Sequence, residues 1–297
     1  MISTPLAAIR LLRPHQWVKS AFVFVGVIFG HAWDQPAYLS AALLAAAGFS
    51  LAASCVYVFN DLADRERDRA HPRKKDRPLA SGAIGVPVAV ALGVGCGVAG
   101  LALSYLAAPL VAALVGAYLL LNAGYTLGLK HVAILDVFII SAGFMLRIVA
   151  GTEGIGIEAS QWLILCGMMV TLFLGFSKRR AELYALEGEA TGDKGNRGTH
   201  RKVLEEYDPV LLDKMIGVCA SGTIVCYSLY TLSPQTIAQH HTTALIWTVP
   251  FVLYGMFRYL QRLHAGGGED VARDLFRDLH LLAAVGGWLA LVLFLTR

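Results

Sequence analysis

An all-α, polytopic membrane protein is the fold class this sequence predicts, and three observations predict it. Of 297 residues, 56% are hydrophobic and only 15% charged, at a mean hydropathy of +0.59; soluble domains carry about a quarter charged residues. Nine apolar runs approach the length needed to cross about 30 Å of hydrocarbon as helix. The basic residues keep to alternate connectors: of 25 Lys and Arg, only Arg147 and Arg297 fall elsewhere.

The runs fall at roughly 18–29 (extendable to Trp33), 39–59, 86–107, 110–127, 132–150, 162–176, 215–232, 244–260 and 279–295. Arg10, Arg13 and Lys19 lead straight into the first with no small-residue cleavage pattern, so it reads as a span and not as a removable leader. The 61–84 connector holds Arg65, Arg67, Arg69, Arg73, Lys74, Lys75 and Arg77; Lys130 follows the fourth run, and the 178–214 and 258–278 connectors are again basic. The segments near 34–38, 108, 152–159 and 233–243 contain neither Lys nor Arg. Positive residues stay inside, so the N-terminus is expected in the cytoplasm, the C-terminus outside, and every large polar loop on the cytoplasmic side of an inner or plasma membrane.

The net charge of +4 thus reports topology. Nucleic-acid binding is not expected, because the basic clusters lack the interleaved aromatics of a single-strand groove. Cys55, Cys96, Cys166, Cys219 and Cys226 all lie in apolar runs, with no metal-binding spacing, and read as small packing residues. The long charged loops after the second and sixth spans suggest two related bundles with loops over a shared cavity, though no residue-level repeat is visible.

Residues 60–82, NDLADRERDRAHPRKKDRPLASG, hold the densest set of ionisable groups. Asp61, Asp64 and Asp68 stand at i, i+3 and i+7, which on a continuous helix stacks three carboxylates on one face. Hard oxygen ligands at a membrane surface suit Mg²⁺, which binds one or two carboxylates and takes further ligands from water and substrate phosphates. The ligand expected is a metal–diphosphate; the alternative is a solvated helix stabilised by pairs such as Asp61–Arg65.

Further clusters converge on that face. In RPHQWVK, Trp17 reads as an interfacial residue, Arg13 and Lys19 as topology charges, with substrate contact open for Lys19. Pro72 and Pro78 stiffen a loop holding Lys74, Lys75 and Arg77, cations suited to a phosphate-rich ligand. Tyr125, Lys130 and Asp136 lie near the cytoplasmic boundary, whereas Arg147 is about 16 Å deeper along a helix. A buried arginine marks a functional site by default; Glu153 or backbone carbonyls are its alternative, structural partners. KRRAEL sets Lys178 and Glu182 at i, i+4 with Arg179 adjacent, and THRKVLEEYD brings Arg201, Lys202 and Tyr207. Glu269, Asp270, Asp274 and Asp278, interleaved with Arg273 and Arg277, read mainly as a surface helix that complements its dipole, with a second metal site as the alternative.

NDLADRERD resembles the N-D-x-x-D-x-x-x-D motif of the UbiA superfamily of intramembrane prenyltransferases. RPHQWVK, the HPxK..RP run, LKHV, the stretch from Asp136 to Arg147 and KRxAEL are similar to its decaprenyl-phosphate phosphoribosyltransferase branch. The resemblance implies a single domain over 1–297, nine transmembrane helices around a central cavity, with 60–84 and 177–214 as cytoplasmic cap loops. It implies transfer of 5-phosphoribose from phosphoribosyl diphosphate (PRPP) to a polyprenyl phosphate in cell-wall biosynthesis. Asn60, Asp61, Asp64 and Asp68 would then hold Mg²⁺–PRPP. Lys19, Lys74, Arg77, Lys130, Lys178 and Arg179 become candidates for the phosphates, and Tyr125 and Glu182 join the substrate-binding set. Aromatic prenyltransferases carry a second acidic motif after the sixth span; here that place offers Lys178, Arg179 and only Glu182. PRPP together with a second phosphate ester wants one acidic and one cationic face, which agrees with the branch. Membrane lipids are expected partners and a homo-oligomer stays open. An aromatic prenyltransferase is the nearest alternative. A CDP-alcohol phosphotransferase would need D-G-x-x-A-R, and a transporter would need broken spans at the midplane.

Overall fold

The computed structural model describes residues 4–71, 74–190, 202–267 and 277–297, and its regular secondary structure there is all helix, joined by turns. Helices α1 (Thr4–Leu12), α2 (Val25–Phe29), α3 (Pro36–Ala63), α4 (Arg65–Ala70), α5 (Val86–Ala107), α6 (Pro109–Leu127) and α7 (Leu135–Ala150) make up the first half. They are followed by α8 (Gln161–Ala190), α9 (Pro209–Leu232), α10 (Pro234–His240), α11 (Val249–His264) and α12 (Leu279–Leu295). Proline opens α3, α5, α6, α9, α10 and α11, where its missing N–H costs nothing and its fixed φ favours the first turn. Asp208, Ser233 and Asp278 accept from the exposed N–H groups of α9, α10 and α12.

Against nine expected spans, six helices among the described residues are long and apolar enough to cross a membrane. Pro234–His240 and Ala244–His264 form a seventh candidate only as a pair bent by 97°, and Leu279–Leu295 is a shorter apolar helix. The expected first span is not one α-helix: a 3₁₀ helix, Pro14–Phe24, runs into α2. At about 2.0 Å rise per residue, a 3₁₀ helix covers more length than the same residues in α form. The sixth run also extends further than expected. Helix α8 continues for 30 residues, so KRRAEL lies on that helix.

The chain divides into two compact units, one built on Met1–Lys130 and Leu146–Ile157, the other on His131–Met145, Glu158–Arg197 and Arg201–Arg297. In the first, α3 packs along α5 in antiparallel fashion because small residues let the backbones meet. Gly93 faces Val58, Gly97 faces Cys55, and a Cβ on Gly48 would lie 2.1 Å from the Ser104 hydroxyl. Gly26 and Gly151 come closer still: a Cβ on Gly26 would stand 1.7 Å from the Gly151 carbonyl oxygen. Phe49, Val111, Val115 and Ala150 fill the core between these helices.

In the second unit, Val137, Phe173, Leu212, Ile216 and Leu281 form the core. The Ser141 and Thr171 hydroxyls meet at 2.7 Å between α7 and α8. Tyr227 of α9 accepts from the Trp288 indole of α12 at 2.7 Å and pairs with the Thr248 hydroxyl at 2.6 Å. Buried hydroxyls and indoles are thus satisfied across helices, as an apolar surround requires.

Candidate functional site

The acidic stretch begins on the last turn of α3, but the helix does not carry through it. Asp64 is the residue at which α3 ends, with α4 starting at Arg65, so the three carboxylates do not stack on one continuous face. Asp61 and Asp68, both buried, are instead brought together by a shared cation. Arg77 Nη1 donates to Asp61 Oδ1 at 3.2 Å and to Asp68 Oδ2 at 2.7 Å. Asp61 Oδ1 also accepts from Arg13 Nη2 at 2.6 Å. Asp64 is one-third exposed and turns to Lys130, whose Nζ lies 3.2 Å away.

The backbone around this cluster explains its geometry. Arg77 sits in a loop fixed by Arg65 Nε donating to the Leu79 carbonyl at 3.3 Å and Arg69 Nε to that of Ala80 at 3.1 Å. Arg13 occupies the left-handed region at φ 52°, between α1 and the 3₁₀ helix, a conformation a side chain adopts only when its surroundings demand it. Its guanidinium lies 5.1 Å from the centre of the Tyr57 ring, adding a cation–π contact to its ion pair. Arg13 had read as a topology charge; nothing in the sequence shows that a left-handed turn aims it at Asp61. Asn60 accepts from the Thr126 hydroxyl, tying α3 to α6. Lys19 and Lys74 lie half-buried in the same unit, and Tyr125 is buried.

The second unit holds a separate ionic cluster. Arg179 and Asp136 are both 0% exposed, with Arg179 Nε 2.6 Å from Asp136 Oδ2. Glu182, one turn along α8, takes the same guanidinium. The Tyr207 hydroxyl donates to Asp136 Oδ1 at 2.6 Å and accepts from the Ile134 N–H at 2.6 Å. Burial, then the hydrogen bond to Asp136, pushes the Tyr207 phenol well above its ordinary range. Ile134 sits at φ 69°, costly for a β-branched residue. Arg179 was expected as a candidate phosphate ligand; its guanidinium is buried and pairs with two carboxylates, Asp136 and Glu182. Helix α8 turns about 100° per residue, so Arg179 falls on the packed side while Lys178, 42% exposed and 4.0 Å from Glu182, falls outward.

Other expectations fare as follows. Arg147 is buried in the first unit over the rings of Tyr118, at 4.6 Å, and Phe49, at 5.1 Å, aromatic neighbours that spacing alone did not single out. Trp17 donates to Ser54 at 3.0 Å and is partly exposed. Asp278 caps α12 and binds Arg258 at 2.8 Å and Arg262 at 3.2 Å, as a dipole-complementing group would; Glu269, Asp270, Arg273 and Asp274 lie outside the described residues, as does Arg201. All five cysteines are free.

Among the described residues, no group of three or more His, Cys, Asp and Glu side chains is gathered to hold a metal ion. The donors of the first cluster nonetheless suit Mg²⁺. Two carboxylates already converge on one cationic nitrogen, and Mg²⁺ commonly takes one or two carboxylates and completes its shell with water and phosphate oxygens.

An aspartate–arginine cluster at the polar end of α3, the first long apolar helix, suits a membrane protein that binds phosphate-bearing ligands. The profile of the UbiA prenyltransferase family matches residues 20–282, and the chain belongs to that family. It is 36% identical over 269 residues to a decaprenyl-phosphate phosphoribosyltransferase of Corynebacterium glutamicum, covering 88% of this chain and 77% of that one. A protein of the same description from Mycobacterium tuberculosis is 33% identical over 292 residues, covering 96% and 92%. In fold, the chain matches a UbiA homolog from Archaeoglobus fulgidus bound to GPP and Mg²⁺ at a TM-score of 0.71, with 19% identity and 98% of each chain covered.

Proposed function

We propose that this protein transfers 5-phosphoribose from PRPP to a polyprenyl phosphate and releases diphosphate. The observation that carries the reading is the Asp61–Asp68 pair converging on one cation, with Arg13 and Lys130 beside it; the description of the relatives supports the choice of substrates. The bond from the ribose C1 to the diphosphate oxygen breaks and its electron pair leaves with diphosphate. A lipid phosphate oxygen bonds to C1 from the opposite face, inverting that centre. The nucleophile is already ionised at neutral pH, so no general base is required.

Asp61, Asp64 and Asp68 would hold Mg²⁺, with Asn60 fixing the end of α3; the ion, when bound, supplies charge neutralisation to the departing diphosphate. Arg77, Lys130, Lys74 and Lys19 would orient the phosphates of the donor, Lys178 the lipid phosphate, and Tyr125 the substrate. Arg179 and Glu182 would hold Asp136 and Tyr207 in place. Positioning and electrostatics then supply most of the rate. Nine crossings, the N-terminus and the site at the cytoplasmic face of the plasma membrane, and 1–297 acting as one domain complete the proposal.

Purified protein offered labelled PRPP with polyprenyl phosphate, with and without EDTA, should form phosphoribosyl lipid only in the metal-replete arm. Product from a prenyl diphosphate and an aromatic acid, and none from PRPP, would instead establish prenyl transfer, the reading favoured by the GPP-bound neighbour.

A further inference from the structure

We propose that Arg77 is a placeholder cation: it yields Asp61 and Asp68 to a divalent metal only when a diphosphate arrives to take up its guanidinium, so metal and diphosphate bind as a pair. This rests on reading that acid pair as the metal site. Asp61, Asp64 and Asp68 face Arg13, Arg77 and Lys130, with the exposed Arg67 3.9 Å from Asp64, so their negative charges are already matched by positive ones. A divalent ion added beside acids that already have cationic partners, two of those acids buried, leaves its own charge uncompensated in a poorly solvating site. A diphosphate removes that surplus and offers Arg77 oxygens suited to its planar fork.

The two arginines are not equivalent. Arg13 is held by its left-handed backbone and by Tyr57, and it contacts Asp61 alone among the three acids. Arg77 bridges two acids through one nitrogen, occupying the point a shared metal would need. Its loop is pinned at the Leu79 and Ala80 carbonyls while its own side chain is 31% exposed. The side chain can therefore swing without the backbone moving. Coupling of this kind is reciprocal: whatever diphosphate adds to metal affinity, metal adds to diphosphate affinity.

The test uses the full-length protein in lipid nanodiscs, with Mn²⁺ binding read by electron paramagnetic resonance at buffered free Mn²⁺, with and without inorganic diphosphate. Wild-type protein should bind Mn²⁺ roughly tenfold or more tightly when diphosphate is present. R77Q should bind Mn²⁺ alone more tightly than wild type and lose most of that gain, whereas R77K, which keeps the charge, should retain it. Equal wild-type affinity with and without diphosphate overturns the proposal without any variant, as does full synergy in R77Q. Both results would leave the metal site itself standing. Absence of Mn²⁺ binding both with and without diphosphate would remove that site, and this proposal with it.

Discussion

Asp61 has two guanidinium groups on one oxygen, and that single carboxylate is where sequence position and spatial position agree best. Asp61→Ala should abolish PRPP-dependent transfer while the protein still assembles in the membrane; turnover near wild type would sink the assignment. Asp64→Ala tests the same site from its exposed side and is expected to lose transfer as well. Arg179 predicts a different phenotype. Removing one member of a buried pair leaves an uncompensated charge, at a cost of about 3–5 kcal/mol, so Arg179→Ala should lower the unfolding temperature sharply in a detergent melt. Lys178→Ala, one residue earlier, should leave stability within about 0.5 kcal/mol and alter activity if it touches the lipid phosphate. An unchanged melt for Arg179→Ala would refute the strut role. The acids were legible in the sequence because i, i+3, i+7 spacing is local. The arginine partners were not, since Arg13 lies 48 residues from Asp61 in the chain and no local pattern reports such a pairing.

Helices were legible where an apolar run met a proline start, and 86–107 was placed at the bounds observed. They were misread where polarity changed before the helix did. Helix α8 continues through Lys178–Glu182 because nothing there breaks backbone hydrogen bonding, and charge by itself does not end a helix. Close packing gives a test at this scale. A Cβ on Gly26 or Gly151 would meet a backbone carbonyl at 1.7 Å, so Gly26→Ala and Gly151→Ala should each reduce folded yield severely. Gly116, where an added Cβ meets nothing within 4 Å, should accept alanine with little change. The start of α12 carries a pH signature. Arg258 hydrogen bonds, then the helix N–H groups, hold the Asp278 carboxyl well below the usual carboxylate range. A lowered folded pKa means the stabilisation is complete above the unfolded value, about 4, and is lost as pH falls through the folded one. Asp278→Asn should therefore melt earlier than wild type at pH 7, and the gap should begin to narrow as pH falls below about 4 and keep narrowing toward the folded pKa; a constant gap would show that the charge is not involved.

For the molecule as a whole, the basic residues predict an orientation and the helix count predicts on which side each end lies. Six spans, a bent pair and a short apolar helix become nine crossings only if the 3₁₀ segment and the bent pair each count. Reporter fusions decide this: the N-terminus should report cytoplasmic and the C-terminus external. Both ends on one side would mean an even number of crossings, with the 97° break near residue 241 as the first place to look. The sequence by itself determined the membrane class, the family and the acidic stretch, because hydrophobic runs, charge asymmetry and a short motif are all one-dimensional properties. Only the tertiary structure decided that α3 stops at Asp64, that Arg77 bridges Asp61 and Asp68, and that Arg179 is interior. Those outcomes depend on which side chains fill the space left by helices distant in the chain, and Coulomb attraction between buried groups is set by their separation in space and the local dielectric, neither of which chain spacing reports.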